Sequence, residues 1–245
     1  MDPALAAFLR SWTFDPWLIV PLSVAAGLYL RGWWRLHCQM PQRFGVWRLG
    51  SFQLGLGTLW LALASPLEAL AEVLLQAHMA QHLLLMLVAA PLFVRARPLI
   101  AFLWAMPRGL RRRFGRWWSG APGRFFAILD SPVSVWLWFC GLFVFWHIPG
   151  PYGWALRHEP VHVVEHLFFF VSAFAFWSVV VEPSGRRRLD YGATLLFVAT
   201  AAVLSGLPGA LTALSPRPLY PVHAEGAARW GLRWGVISTH LPSDM

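Results

Sequence analysis

Nine histidines occur in the chain, and five of them fall in two tight sets: His78 with His82, and His158, His162 and His166. Both sets lie in otherwise apolar stretches. Imidazole is polar, titratable and a good metal ligand, and hydrocarbon is a costly place to leave it unpaired. Ionisable residues inside apolar spans therefore mark a functional site by default. Residues four apart on a helix share one face, about one turn apart. His78/His82 and His162/His166 are thus each a two-imidazole clip, and His158 extends the second by a turn if that helix begins early. Two facing clips supply up to four nitrogen donors, a set that suits copper, zinc or iron. Met79 and Met86 offer thioethers that favour Cu(I), although only one helical face can point at the site. Glu165, beside His166, can orient a ligating imidazole or act as a ligand itself.

Plainer readings exist for each residue taken singly. A lone intramembrane histidine is a helix–helix hydrogen bond, and Met79 and Met86 are ordinary packing residues. Two i,i+4 pairs converging on one membrane face tip the balance to a metal or cofactor site. His147, which ends another apolar stretch, is a further candidate, whereas His158 falls in a turn and reads as solvated. Three chemistries fit: a copper site, a b-type haem between imidazoles, or zinc with Glu165 as the base of a hydrolase. No Asp, Glu or Ser motif on another apolar stretch completes a hydrolytic set.

The elements that must position these residues are membrane helices. Hydrophobic residues make up 58% of the chain and charged residues 13%, with mean hydropathy +0.54; this is far from a soluble domain. Several apolar runs approach the ~20 residues that a helix needs to cross the bilayer. They lack the period-2 alternation of barrel strands, and a helix satisfies its backbone polar groups inside lipid. The fold class expected is all-α, a polytopic transmembrane helical bundle of six spans with no separate soluble domain. The spans run at about Pro16–Leu30, Phe52–Leu70, Glu72–Val94, Val133–Ile148, Val161–Val181 and Tyr191–Leu214. A short apolar piece, Leu99–Met106, is too short to span and is expected to lie on or dip into the interface. Pro91 should kink the third span, and Gly206-Leu207-Pro208-Gly209 should interrupt the sixth.

Net charge is +9, and all twenty basic residues are arginine. Fifteen arginines fall in three alternate loops, the positive-inside signature, so the partner is the lipid bilayer and no nucleic acid is expected. With those loops in the cytoplasm the N-terminus lies outside, and both histidine sets enter from the outer face. Met1-Asp2-Pro3 lacks the basic start of a cleavable signal, so the first apolar segment should remain as a helix. Cys38 and Cys140 form no CxxC pair and are not expected to bridge.

The string His78-Met79-Ala80-Gln81-His82-Leu83-Leu84-Leu85, followed by Ala90-Pro91-Leu92, resembles the signature helix of the CtaG family of cytochrome c oxidase assembly factors. This is the polytopic membrane family, not the single-span copper chaperones that share the name. Trp146-His147-Ile148-Pro149 and His162-Val163-Val164-Glu165-His166-Leu167-Phe168 resemble its next two motifs. Gly209-Ala210-Leu211 and Pro218-Leu219-Tyr220 resemble a fourth. The resemblance covers roughly Phe52 to Ala227. It implies about seven transmembrane helices in a bacterial cytoplasmic (inner) membrane, and a non-enzymatic role in maturing a haem–copper oxidase through copper handling. Its implied partners are cytochrome c oxidase subunits. Carried over by motif, the implied metal ligands are His78, His82, His162 and His166, with Met79, His147 and Glu165 in support. After Trp230 the chain departs from the pattern, because an Asp-Gln-containing stretch and a final apolar helix are expected there. Residues 1–228 are accordingly read as one integral membrane domain and 229–245 as a divergent or truncated tail.

Overall fold

The structure, a computed structural model, describes residues 12–71, 74–120, 131–181 and 188–215. Among these residues the regular structure is entirely helical. In chain order the helices are α1 (Pro16–Gln39), α2 (Val46–Ala64), α3 (Pro66–Ala71), α4 (Leu75–Ala96), α5 (Pro98–Ala105) and α6 (Arg108–Trp118). They continue with α7 (Pro132–Trp146), α8 (Pro149–Arg157), α9 (Glu159–Val180) and α10 (Tyr191–Leu214). Prolines open α1, α5, α7, α8 and α9, where a missing N–H costs nothing. Side chains of Asp15, Ser131 and Asp190 cap α1, α7 and α10 by accepting from the first-turn amides.

Among the described residues, α4, α9 and most of α10 are long and apolar enough to cross a membrane. The pair α7 and α8, bent by 73° at its break, makes a fourth candidate. This supports fewer spans than the six expected. Helix α1 forms, but Arg31, Arg35 and its three tryptophans dilute its apolar run; α2 carries Arg48, Gln53 and three glycines. The second expected span also breaks early. Ser65 is extended ahead of Pro66, the geometry a following proline imposes, so α2 stops at Ala64 and the chain restarts as α3.

Ahead of Pro91, where a kink is expected, α4 makes a π-helical turn, Leu84–Ala89, in which the Ala90 amide donates to Leu85 O. Proline has no N–H and its ring collides with the carbonyl four residues back; a wider turn just before it relieves both problems. The next acceptor in this π register, Met86 O, would face the hydrogen-less nitrogen of Pro91. The Trp177 indole N–H donates to that carbonyl instead, at 2.8 Å, which ties α9 to α4.

Two further expectations fail. The connection left between the fourth and fifth expected spans forms helix α8, because Pro149 both stops α7 and starts a new helix. Gly206–Gly209 does not interrupt α10, which runs helical through Pro208. The short apolar piece is α5, which follows the left-handed Arg97 (φ 52°) and packs along α1. A Cβ on Gly32 would sit 1.8 Å from Ala101 O, so only glycine permits that approach. Glu72, Met1-Asp2-Pro3, Arg124, Arg186, Arg187, the Pro218-Leu219-Tyr220 string, His223, His240 and the tail 229–245 lie outside the described residues.

Two cores share α4. Tyr29, Trp33, Leu36, Phe52, Phe93 and Ala101 join α1, α2 and α5 to its C-terminal half. Met86, Phe139, Cys140, Trp146, Phe169 and Phe176 join α7 and α9 to its middle. Met86 is therefore a packing residue. Cys140 is buried, Cys38 is exposed, and both are free thiols.

Candidate metal centre

Helices α4 and α9 run in the same direction, and their histidines meet in order. The His78 and His162 rings stack at 5.4 Å (15°), and the His82 and His166 rings meet edge-on at 5.1 Å. Within each helix the i,i+4 rings lie 4.2 Å apart. Helical spacing thus makes two clips, and the α4–α9 packing turns them face to face. One ligand atom each from His78, His82, His162 and Glu165 can be chosen so that all four lie within 4.8 Å of one another.

The cluster is buried: His78 is 0%, Glu165 1%, His82 3% and His166 8% exposed, with His162 half-buried at its edge. Both ring nitrogens of His82, Nε2 of His162 and His166, and both carboxylate oxygens of Glu165 have no hydrogen-bond partner among the described residues. A buried polar atom without a partner costs about 1–3 kcal/mol, and a carboxylate more. So many at one point make a donor set for a cation. Nitrogen and oxygen ligands of one zinc or copper ion, each about 2.0–2.2 Å from it, lie roughly 3–4 Å apart. Closing from 4.8 Å asks for less than about 1–2 Å of side-chain adjustment, so these residues fit such an ion.

The other candidates surround this set. His147 follows the last turn of α7, its ring stacked on Phe143 (4.1 Å) and 6.1 Å from Phe169, whose ring in turn lies 4.5 Å from His82. Its Nδ1 is 2.7 Å from Phe143 O. A carbonyl only accepts, so Nδ1 carries the proton and Nε2 is the basic nitrogen, the tautomer of a ligating imidazole. Met79 is half-buried and stands about 100° around the helix from His78. His158 is exposed, as expected, and lies outside the cluster.

Two residues escaped the sequence reading. Tyr152, on α8, packs edge-on against His78 at 5.3 Å and is 1% exposed; it was hidden because its segment was read as a loop. Gln81 is fully buried, and its amide donates to Ala62 O (2.7 Å) and to the Glu68 carboxylate. This holds the start of α4 against α2 and α3. Its position between His78 and His82 was the available signal, since a polar residue one turn after His78 and next to His82 belongs to the same buried region.

A parallel helix pair with a buried imidazole and carboxylate cluster, on segments able to cross a membrane, defines a helical protein built around a candidate metal centre. The chain belongs to the cytochrome c oxidase caa3 assembly factor family, whose match covers residues 27–243 and so includes every residue of the cluster. No curated protein and no solved structure matches it.

Proposed function

We propose that the chain is a membrane-embedded, non-enzymatic assembly factor that binds copper at the histidine–glutamate cluster and hands it to a haem–copper oxidase in a bacterial inner membrane. The observation that carries this reading is the meeting of His78, His82, His162 and Glu165 within 4.8 Å, in a buried place where both ring nitrogens of His82, Nε2 of His162 and the Glu165 carboxylate otherwise lack partners among the described residues. His166, whose ring lies 5.1 Å from that of His82, is the alternative ligand, and His147, beyond Phe169, is the outlying candidate. Met79 is the candidate thioether. The family supplies the oxidase as client.

The six-span topology, with the N-terminus outside, belongs to this proposal. His78 and Arg95 are seventeen residues apart on α4, about 25 Å along a helix axis. That is close to the ~30 Å of hydrocarbon in a bilayer. Histidines at one face and arginines at the other therefore agree with a crossing helix whose arginine end is cytoplasmic.

Zinc is the second reading, favoured by the carboxylate in the set. Haem fits less well, because two imidazoles that sandwich a porphyrin stand on opposite sides of an extended plane. These rings instead pack on one another and on Phe169 and Tyr152. Metal analysis and an absorption spectrum of the purified chain and of a His78→Ala/His82→Ala variant test the proposal. Stoichiometric copper lost in the variant is the expected result. Copper retained in the variant would sink the site, and a Soret band with stoichiometric haem would favour a cytochrome. Zinc with a hydrolase activity abolished by Glu165→Gln would favour the third chemistry.

A further inference from the structure

Helix α6 plays no part in the metal centre, yet it is the most polarised element of the chain. Its sequence, Arg108-Gly109-Leu110-Arg111-Arg112-Arg113-Phe114-Gly115-Arg116-Trp117-Trp118, places Leu110, Phe114, Trp117 and Trp118 within an arc of about 100° and the five arginines around the rest. The four apolar side chains are 38–53% exposed. Phe114, Trp117 and Trp118 lie 5.8–6.1 Å from one another and form a continuous aromatic face. No acidic residue occurs between Glu72 and Asp130, so the local charge is uncompensated by the sequence around it. On the basic side, Arg112, Gly115, Arg116 and Ser119 line an open groove.

The helix is held at a defined place. The Arg111 guanidinium sits over the Trp104 ring at 4.3 Å, and Arg35 of α1 donates to the Trp104 and Ala105 carbonyls at 2.9 and 3.2 Å. A second groove, lined by Gly27, Leu30, Arg31, Trp34 and Arg35, opens on α1 itself. Arg35 of α1, Trp104 of α5 and Arg111 of α6 therefore gather at the start of α6. This cluster is joined through α5 to Arg97 and the end of α4, about a membrane thickness from the histidines.

We propose that α6 lies in the membrane interface and binds anionic phospholipid headgroups, its aromatic face in the acyl boundary and its arginines on the phosphates. An interfacial helix has this composition, with tryptophan and phenylalanine on one side and basic residues on the other. Each arginine near an anionic surface strengthens binding by roughly five-fold, and guanidinium pairs with phosphate in a bidentate way. Charge complementarity selects an anionic lipid over a zwitterionic one. Neither the metal nor the oxidase enters into this assignment.

Hydrogen–deuterium exchange of the full chain tests it, in vesicles of phosphatidylcholine alone and of phosphatidylcholine mixed with phosphatidylglycerol. The amides of 108–118 should exchange on the order of ten-fold more slowly in the mixed vesicles, and high salt should reduce the difference. An Arg112→Gln/Arg113→Gln/Arg116→Gln variant should lose that difference while α9 exchanges as in the parent chain, which shows that the fold is intact. Equal exchange in the two lipids overturns the proposal. So does lipid-dependent protection that survives in the triple variant, or full protection already present in detergent.

Discussion

At the arginine-bearing end of α4, every buried polar side chain that the fold encloses finds a backbone carbonyl. Tyr29 donates to Arg48 O (3.1 Å) and Ala96 O (2.9 Å). Arg48 donates to Arg43 O (2.8 Å) and to Arg95 O, and Arg35 reaches the last carbonyls of α5. His37 Nδ1 lies 2.7 Å from Phe44 O. At the other end of the same helix, His82, His162, His166 and Glu165 bury nitrogen and oxygen atoms that the described protein leaves without partners. The two regions are packed in the same way, with stacked and edge-on rings in each. What differs is where the hydrogen bonds end. Polar groups with a structural task terminate on the chain's own backbone, and these atoms at the histidine end have no such terminus among the described residues.

The most damaging way to break the arginine end is Arg48→Leu. It removes charge-assisted bonds to Arg43 O, in the turn before α2, and to Arg95 O, among the last carbonyls of α4, and should cost about 3 kcal/mol or more. Chemical denaturation in detergent measures this, and the fraction that still folds should bind metal as the parent does. A cost under about 1 kcal/mol would mean that the satisfied end is not what holds α1, α2 and α4 together.

The histidine end should respond oppositely. Adding metal at about a hundred-fold excess over its Kd should stabilise the chain by about 2.7 kcal/mol, seen as a rise in Tm. In the His78→Ala/His82→Ala variant that rise should vanish, whatever the two cavities left by the buried rings cost in metal-free stability. A variant that is strongly destabilised without metal yet keeps the metal-induced rise would reverse the contrast between the two ends.

How much of this was legible before the structure depends on whether the signal was local. The i,i+4 clips were legible because helical periodicity places His78 over His82 and His162 over His166 with no knowledge of the fold. Their meeting was not, since it depends on parallel α4–α9 packing. That packing is aided by Trp177 reaching Met86 O, a carbonyl released by the π turn before Pro91, and a π turn has no composition of its own. The ends of α10 were legible from the apolar run Tyr191–Leu214, whereas α8 was missed because Pro149, Gly150, Pro151 and Gly153 mask a helix. In place, Pro149 starts a helix instead. The polar satisfaction of the other end was invisible, because backbone carbonyls leave no mark in the residue pattern.

Glu165→Gln sharpens the contrast with a single atom exchanged. The amide keeps the volume and can hydrogen-bond, so folding should change by less than about 1 kcal/mol or improve, since a buried unpaired carboxylate is removed. Cation binding should weaken by roughly ten- to a hundred-fold, whether the carboxylate is a ligand or orients His166 and His162. Isothermal titration with copper reads the affinity and thermal denaturation the stability. Unchanged affinity together with lower stability would make Glu165 a packing residue like those of the opposite end.

The smallest expected effect is Tyr29→Phe, and it isolates the logic of the satisfied end. Tyr29 is wholly buried, its ring stacked on Phe52 at 3.7 Å, and phenylalanine keeps that packing. Only the hydroxyl is lost, and with it one donor shared between Arg48 O and Ala96 O, each of which then lacks a neighbour it had. A net hydrogen bond is worth about 1 kcal/mol, so a loss near that value is expected in equilibrium unfolding. Combining Tyr29→Phe with Arg48→Leu gives the coupling between them, since both act on the carbonyls where α2 begins and α4 ends. Additive costs would mean that the two side chains act separately. A combined cost below the sum would mean that they hold the end of α4 as one network, and the metal affinity should remain the parent's in either case.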